Sequence, residues 1–287
     1  MSHEIGQRFL LDLPGMRHNL PYSPALLTTL YSQTGQTSVT PLDEIAETLG
    51  RDQGLTAKVL TVANSAFYGL QQEVNTVARA IAVLGLAEVR TLVLAVGVKA
   101  LTDSKDFPRD FPVGPYWEHQ LSVAIVARML APLMGGGDPD NLFTAGVLHD
   151  LGKLLTALHR PEDWRAISAL AEGGSISYSE AEDEYWGIEH GVVGSMVMGA
   201  WNLPADLTEP VNWHHAPMHS PLHRRDALVL CVADAMAHAA AETGSLVTCP
   251  WREVLCKFNL SDADLLERAK ALLVKHDPGV FAAGLAA

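Results

Sequence analysis

The chain has 287 residues, of which 48% are hydrophobic and 18% are charged, a balance typical of a globular protein that buries a large core. Its net charge of −13, with no cluster of Lys or Arg longer than a pair, argues against a nucleic-acid-binding surface. The three cysteines are odd in number and lack CxxC spacing, which argues against a disulfide framework and a thiolate metal site.

Nothing in the sequence predicts contact with a membrane. Uncharged apolar runs such as residues 92–98 are far shorter than the roughly 20 residues that span a bilayer. The first residues, MSHEIGQRFLLDLPG, place Glu4 and Asp12 around a very short apolar patch and do not form a secretory signal. We therefore expect a cytoplasmic protein.

Helical periodicity dominates the first hundred residues, and alternating, strand-like runs are scarce. Apolar spacing and helix-end signals predict helices over residues 24–31, 41–49, 54–67, 74–84 and 86–101. The small residues of the stretch ANSAFYG predict close helix packing, with Asn64 and Ser65 hydrogen-bonded to a neighbouring turn.

Residues 102–115, TDSKDFPRDFPVGP, hold three prolines and five charges and predict the main boundary of the chain. Beyond it, the patterns predict helices over 116–133, 141–158, 161–172, from near His190 to Trp201, and over 225–242 and 261–274. No internal repeat is visible. The sequence predicts an all-α protein whose two helical lobes share one core.

The second lobe contains many side chains of the type that bind metal ions. They are His119, the adjacent pair His149 and Asp150, His190, the adjacent pair His214 and His215, and Asp234. Imidazole and carboxylate together suit iron, manganese or zinc, and a carboxylate such as Asp150 can bridge two cations. A bound cation would also reverse the local charge and admit a small anionic ligand.

Each of these residues also has a purely structural interpretation. A single histidine on an apolar helix is more often a hydrogen-bonded core residue than a ligand. The pair His214 and His215 fits a loop motif that contacts backbone carbonyls, and Asp234 fits a partner for His238. Because the residues lie on separate elements, spacing alone does not assemble them into one site.

The order H, HD, D formed by His119, His149-Asp150 and Asp234 resembles the HD superfamily of metal-dependent phosphohydrolases, here in the context FTAGVLHDLGKLL. The stretch LTAKVLTVANSAFYGL and its continuation to residue 98 resemble the HDOD family. The later segments EYWGIEHGVVGSMVMGAWNLP and VNWHHAP are also similar to that family. Together they cover roughly residues 20–220.

The resemblance implies an N-terminal segment over 1–22 and an HDOD domain over 20–220. That domain would comprise a helical lobe over about 20–103 and an HD-like lobe over about 114–220. The helices of residues 221–287 would complete the HD-like lobe. It also implies a bacterial source and a regulatory or signal-transduction module.

The resemblance further assigns roles within the site. A first metal would be held by His119, His149 and Asp234. A second would be held by the histidines that match the HD-GYP branch, namely His190, His214 and His215. Asp150 would bridge the two metals. The Gly-Tyr-Pro element of that branch is absent, so hydrolysis of cyclic di-GMP is not implied.

Asp150 and Lys153 are the predicted catalytic residues. Lys153, three residues after Asp150, would hold that carboxylate or neutralise a phosphate oxygen, and a solvent-facing lysine is the alternative. Glu182 and Glu184 would support His190 by hydrogen bonds or add a metal ligand, although a solvated acidic face is the interpretation that the sequence favours.

Two functions follow as hypotheses. The first is a metal-containing signalling module that binds a partner protein or a small nucleotide without turnover. The second is a phosphohydrolase or phosphodiesterase that uses one or two divalent metal ions and acts on a nucleotide or cyclic dinucleotide. A redox or oxygen-sensing di-iron site fits the same ligands.

Overall fold

The computed structural model describes residues 2–16, 24–34, 38–173, 176–241 and 249–286, and this part of the chain is helical and contains no strand. The helices in chain order are α1 (Ser2–Met16), α2 (Pro24–Gln33), α3 (Leu42–Gly50), α4 (Gln53–Ala63), α5 (Val77–Leu84), α6 (Leu86–Thr102), α7 (Val113–Met134), α8 (Pro139–Leu148), α9 (Leu151–His159), α10 (Pro161–Gly173), α11 (Tyr178–Trp186), α12 (His190–Ala200), α13 (Ala205–Trp213), α14 (Arg224–Ala241), α15 (Trp251–Lys257), α16 (Asp262–Lys275) and α17 (Pro278–Ala286). The predicted all-α fold is confirmed.

The N-terminal lobe is built around α6, which is buried along most of its length. Helices α2, α4 and α5 pack on α6, and α3 packs on those three. The five helices predicted before residue 102 are present, with shifted ends. Helix α4 stops at Ala63 because the Asn64 side chain donates to the carbonyl of Leu60, and α5 starts where the Thr76 side chain caps the N–H of Arg79.

Asn64 links the end of α4 to the segment before α5. Its side-chain amide donates to the Val74 carbonyl and its side-chain oxygen accepts from the Val74 N–H, both at 2.7 Å. The predicted hydrogen bond from Asn64 to a neighbouring turn is therefore confirmed. Ser65 Oγ, by contrast, has no hydrogen-bond partner among the described residues.

Replacing Asn64 with alanine is expected to lower the free energy of unfolding by about 1–2 kcal/mol, because both backbone groups of the buried Val74 lose their partner. Thermal or urea unfolding measures this loss. Thr61→Ala is the control, since the exposed Thr61 hydroxyl bonds only within α4, and it is expected to change stability by less than about 0.5 kcal/mol. Equal stability of the two variants would contradict the prediction.

The second lobe is built around α7, against which α8, α14 and α17 pack. The contact with α8 is made at backbone distance. A Cβ atom added at Gly146 would lie 2.5 Å from the Cα atom of Ala124, so only glycine fits at this position. This close crossing brings the helix that carries His119 next to the end of the helix that precedes His149.

The predicted boundary falls on the connection between α6 and α7. This connection is packed rather than free, since Phe107 and Phe111 are buried and Phe111 lies against Trp164. Buried apolar residues of both lobes belong to one hydrophobic cluster, so the two lobes share a core as predicted.

The helix predicted over residues 141–158 is wrong as a single element. Helix α8 ends at Leu148 and α9 begins at Leu151, with His149 and Asp150 between them. Asp150 has φ −97° and ψ 14°, outside the α-helical region. The apolar pattern continues through the break because α8 and α9 each bury apolar residues on either side of it. Periodicity alone therefore does not reveal the break.

Several helices lie where no helix was predicted, namely α1, α11, α13, α15 and α17. Helix α1 packs on α11 and α12, where the ring of Phe9 stacks on Trp186 at a centroid distance of 5.4 Å. Helix α17 packs on α7 and α4. None of the helices in the described ranges is both long and apolar enough to cross a membrane.

Candidate metal centre

All seven residues predicted as metal ligands lie together in the second lobe. They come from five parts of the chain: His119 from α7, His149 and Asp150 from the break between α8 and α9, His190 from the start of α12, His214 and His215 from the end of α13, and Asp234 from α14. Most of them are buried, including both aspartates.

A first group surrounds Asp234. Nε2 of His119 lies 3.0 Å from Oδ1 of Asp234 and 3.9 Å from Oδ2 of Asp150. Nε2 of His149 lies 3.5 Å from Oδ2 of Asp150 and 4.0 Å from Oδ1 of Asp234. Two imidazole nitrogens and two carboxylate oxygens therefore face a common centre.

A second group surrounds His190. Its Nε2 atom lies 3.3 Å from Nε2 of His214 and 3.0 Å from Nε2 of His215. The same atom lies 2.9 Å from Oδ1 of Asp150. Asp150 thus presents Oδ2 to the first group and Oδ1 to the second, which is the position that a bridging carboxylate occupies.

Four buried atoms of this site have no hydrogen-bond partner in the part of the chain that the structure describes. They are Nε2 of His119, Nε2 of His149, Oδ1 of Asp150 and Oδ1 of Asp234. Each nevertheless has another site atom within 3.5 Å. Imidazole nitrogens and carboxylate oxygens gathered this closely in a buried site fit ligands aimed at a cation.

The other ring nitrogen of three histidines is held by the protein. Nδ1 of His149 lies 2.8 Å from the Gly146 carbonyl, and Nδ1 of His214 lies 2.7 Å from the Val211 carbonyl. Nδ1 of His190 lies 2.6 Å from Oε2 of Glu182. These contacts fix the ring orientations and direct Nε2 into the site, as is usual for metal-binding histidines.

Burial keeps most of these imidazoles neutral. It lowers the pKa of His149 to about 4 and, together with the charge on His190, that of His214 to about 3. The pKa of His215 is also far below its ordinary value because of burial. Neutral imidazoles offer the lone pair that a cation needs.

His190 and Asp150 are shifted towards their charged forms. Burial opposes a charge on His190, but Glu182 outweighs it and raises the pKa to about 9. Burial would likewise raise the pKa of the Asp150 carboxyl, but His149, Lys153 and His190 outweigh burial and hold it well below its usual range. A cation at the second group would therefore replace the His190 proton.

Lys153 contacts Asp150 and does not point freely into solvent. Its Nζ atom lies 2.7 Å from Oδ2 of Asp150 and 4.9 Å from the ring centroid of Tyr178. Gln120 donates to the same carboxylate oxygen at 3.3 Å. The expected contact with Asp150 is confirmed, whereas a catalytic role for Asp150 and Lys153 stays a prediction.

Glu182 lies inside the site and not on a solvated acidic face. The favoured interpretation was a solvated acidic face, but Glu182 is fully buried and its Oε2 atom accepts from the backbone N–H of His190 at 2.8 Å. Glu184 is exposed, as expected. The sequence SEAEDEYW does not distinguish the buried Glu182 from the exposed Glu184, because the residue type alone does not indicate burial.

Replacing Glu182 with glutamine is expected to weaken metal binding about 10- to 100-fold, since the residue that orients His190 and balances its charge loses its own charge. Metal titration after removal of bound metal measures the affinity. Glu184→Gln is the matched control, because the exposed Glu184 lies on the same helix and is expected to leave the affinity unchanged. Equal affinities of the two variants would contradict the assignment.

His238 is a second residue that the predicted ligand set lacks. It forms, with His119 and Asp234, a third group of residues able to hold a cation. A cleft of about 870 Å³ opens onto His119 and His238 and is walled by residues of α7, α14, α16 and α17. Of the first group, this cleft reaches His119.

Comparison with known proteins identifies a family. The model of the HDOD domain matches residues 20–217. A solved structure of a candidate phosphohydrolase from Shewanella amazonensis SB2B is 25% identical, with a TM-score of 0.73, and the match covers 96% of this chain and 98% of that one. An HDOD domain protein of unknown function from Geobacter sulfurreducens is 22% identical, with a TM-score of 0.73 and coverage of 95% and 97%.

Two further similarities involve longer proteins. A candidate signal-transduction protein from Marinobacter aquaeolei VT8 is 22% identical, with a TM-score of 0.77, over 94% of this chain and 60% of that one. An uncharacterized protein of Treponema pallidum (strain Nichols) is 23% identical over 181 residues, which is 63% of this chain. The aligned part spans 34% of the length of that curated relative.

Proposed function

Because this chain belongs to the HDOD family, we propose that it is a bacterial signal-transduction module whose His/Asp site holds divalent metal ions. The observation that carries the proposal is the set of four buried site atoms without a hydrogen-bond partner among the described residues. The signal-transduction description of the Marinobacter protein supports the regulatory part.

The donor atoms determine which cations fit. Imidazole and carboxylate without thiolate suit iron, manganese or zinc. His119, His149 and Asp234 would hold one ion, and His190, His214 and His215 a second, with Asp150 shared. Such ions, when bound, polarise phosphoryl oxygens and make bound water more acidic.

The surrounding residues of the chain prepare this site. Glu182 orients His190, and Gln120 and Lys153 fix the Asp150 carboxylate. These contacts hold the donor atoms in place before any ligand arrives. A rigid site of this kind suits a module that recognises a small nucleotide through its phosphate or that signals to a partner protein in the cytoplasm.

A phosphohydrolase or phosphodiesterase acting on a nucleotide is the second candidate. It is favoured by the cleft that reaches His119 and by the ammonium group of Lys153, which lies beside the Asp150 carboxylate and would neutralise a phosphate oxygen bound there. The Shewanella protein, described as a candidate phosphohydrolase, has a similar fold over nearly its whole length.

Metal content tests the shared part of both proposals. The protein is purified without chelator or metal-affinity tag, and metals per chain are counted by mass spectrometry. One or two divalent ions per chain are expected. Absence of metal from the purified protein, together with no uptake of added Fe²⁺, Mn²⁺ or Zn²⁺, would overturn the proposed function.

Turnover separates the two candidates. The metal-loaded protein is incubated with nucleotides, cyclic nucleotides and cyclic dinucleotides, and products are separated by chromatography. The signalling proposal expects binding without cleavage. Cleavage of a phosphoester that stops in Asp150→Ala, while that variant stays folded, would establish the enzyme instead.

A further inference from the structure

His238 lies one helical turn after Asp234 on α14, so the two side chains share one face of the helix. The His238 ring stacks on that of His119, with centroids 4.3 Å apart and an angle of 29° between the planes. Nε2 of His238 lies 3.5 Å from Oδ1 of Asp234, the same oxygen that Nε2 of His119 approaches to 3.0 Å. One carboxylate oxygen is thus flanked by two imidazole nitrogens.

The donor atoms of these three residues are close enough to share one cation. They all lie within 4.8 Å of one another. Neither Oδ1 of Asp234 nor Nε2 of His119 has a hydrogen-bond partner among the described residues. Ring stacking would stabilise His238 at many positions over His119, but it does not require that Nε2 lie next to this oxygen.

His238 also lies at the point where the cleft meets the first group. Its side chain is 24% exposed, whereas that of His149, on the far side of the group, is 1% exposed. Around His238 the cleft is lined by Glu118 of α7, Lys270 of α16 and Asp277 before α17. His238 and His119, whose side chain is 18% exposed, are therefore the imidazoles of this group that a ligand in the cleft meets first.

We propose that His238 is a further ligand of the cation at the first group, shared with His119 and Asp234, and that it binds this cation from the cleft side. The inference rests on the proposed function, since it requires that the first group hold a divalent ion. It adds a consequence for recognition. A phosphate-bearing ligand that reaches the cation through the cleft must share it with His238 or displace that imidazole.

Co²⁺ is the probe, because its visible absorption depends on the number and type of its ligands. Bound metal is removed from the full chain, and Co²⁺ is titrated into the wild-type protein and into His238→Phe. This variant keeps a ring that can stack on His119 but has no nitrogen. For His238→Phe we expect a dissociation constant for one Co²⁺ that is at least about tenfold higher than that of the wild-type protein. Its Co²⁺ absorption spectrum is also expected to differ from that of the wild type.

His219→Phe is the matched control, since His219 is exposed, its described ring contact is with Trp213, and it belongs to no group of metal-binding side chains in the described residues. It is expected to bind Co²⁺ with the wild-type affinity and spectrum. If His238→Phe also does so, the inference is overturned while the proposed function stands. If the wild-type protein binds no Co²⁺ and contains no metal as purified, the proposed function itself fails. Should circular dichroism show that His238→Phe is unfolded, His238→Ala takes its place with the same expectations.

Discussion

Replacing Gly152 with alanine is expected to destabilise the protein by about 3 kcal/mol or more. A Cβ atom at this position would lie 2.0 Å from the backbone oxygen of His190 and 2.7 Å from its carbonyl carbon. Overpacking usually costs about 1–3 kcal/mol, and here the obstacle is backbone that cannot rotate away. Unfolding by urea, followed by circular dichroism, measures the loss.

The same substitution is expected to reduce metal binding, because it forces α9 away from the start of α12 and so separates Asp150 from His190. Gly199→Ala is the matched control on α12. Nothing lies within 4 Å of a Cβ atom at Gly199, so alanine there is expected to stabilise the helix by up to about 1 kcal/mol. A Gly152→Ala protein as stable as wild type would contradict the close approach of α9 and α12.

Replacing Asp150 with asparagine is expected to weaken metal binding at both groups by more than about 100-fold. The change removes a carboxylate whose two oxygens face the two groups. Loss of residues that only support metal ligands already lowers metal affinity about 10- to 100-fold. It also leaves Lys153 without its carboxylate partner. Mass spectrometry of the purified variant and metal titration measure the effect.

Asp163→Asn is the control for the loss of a buried, paired aspartate elsewhere. Asp163 bonds to Arg160 and to the hydroxyl of Tyr185 and belongs to no group of metal-binding side chains in the described residues. This variant is expected to be less stable but to keep its metal. Full metal content in Asp150→Asn would show that Asp150 is not a shared ligand.

The sequence predicted much of the helical fold because the helices that bury one face repeat their apolar residues with a clear period. Helices α3 and α5 of the N-terminal lobe follow this rule. Helix α11 does not, since its sequence YSEAEDEYW carries acidic residues on every side and buries one of them, Glu182. The apolar pattern therefore predicted neither α11 nor the contact of Glu182 with His190.

The predicted ligands were found through resemblance and residue type, but their arrangement depends on tertiary structure. The break at His149 and Asp150 is invisible in the apolar pattern. His238 was noticed only as a neighbour of Asp234, because its stacking on His119 joins two helices more than a hundred residues apart. Contacts of this kind have no local signal in a single sequence.

The docking of α1 on α11 and α12 has a consequence for the order of folding. Phe9 and Trp186 are roughly 180 residues apart in the chain, so their contact is among the most non-local in the molecule. During synthesis α1 leaves the ribosome early, and its apolar face stays without its partner until residue 186 has emerged. Helix α1 is thus expected to be among the last of the described helices to dock, and for that interval a nascent chain exposes Phe9 and Leu13 to chaperones and to aggregation.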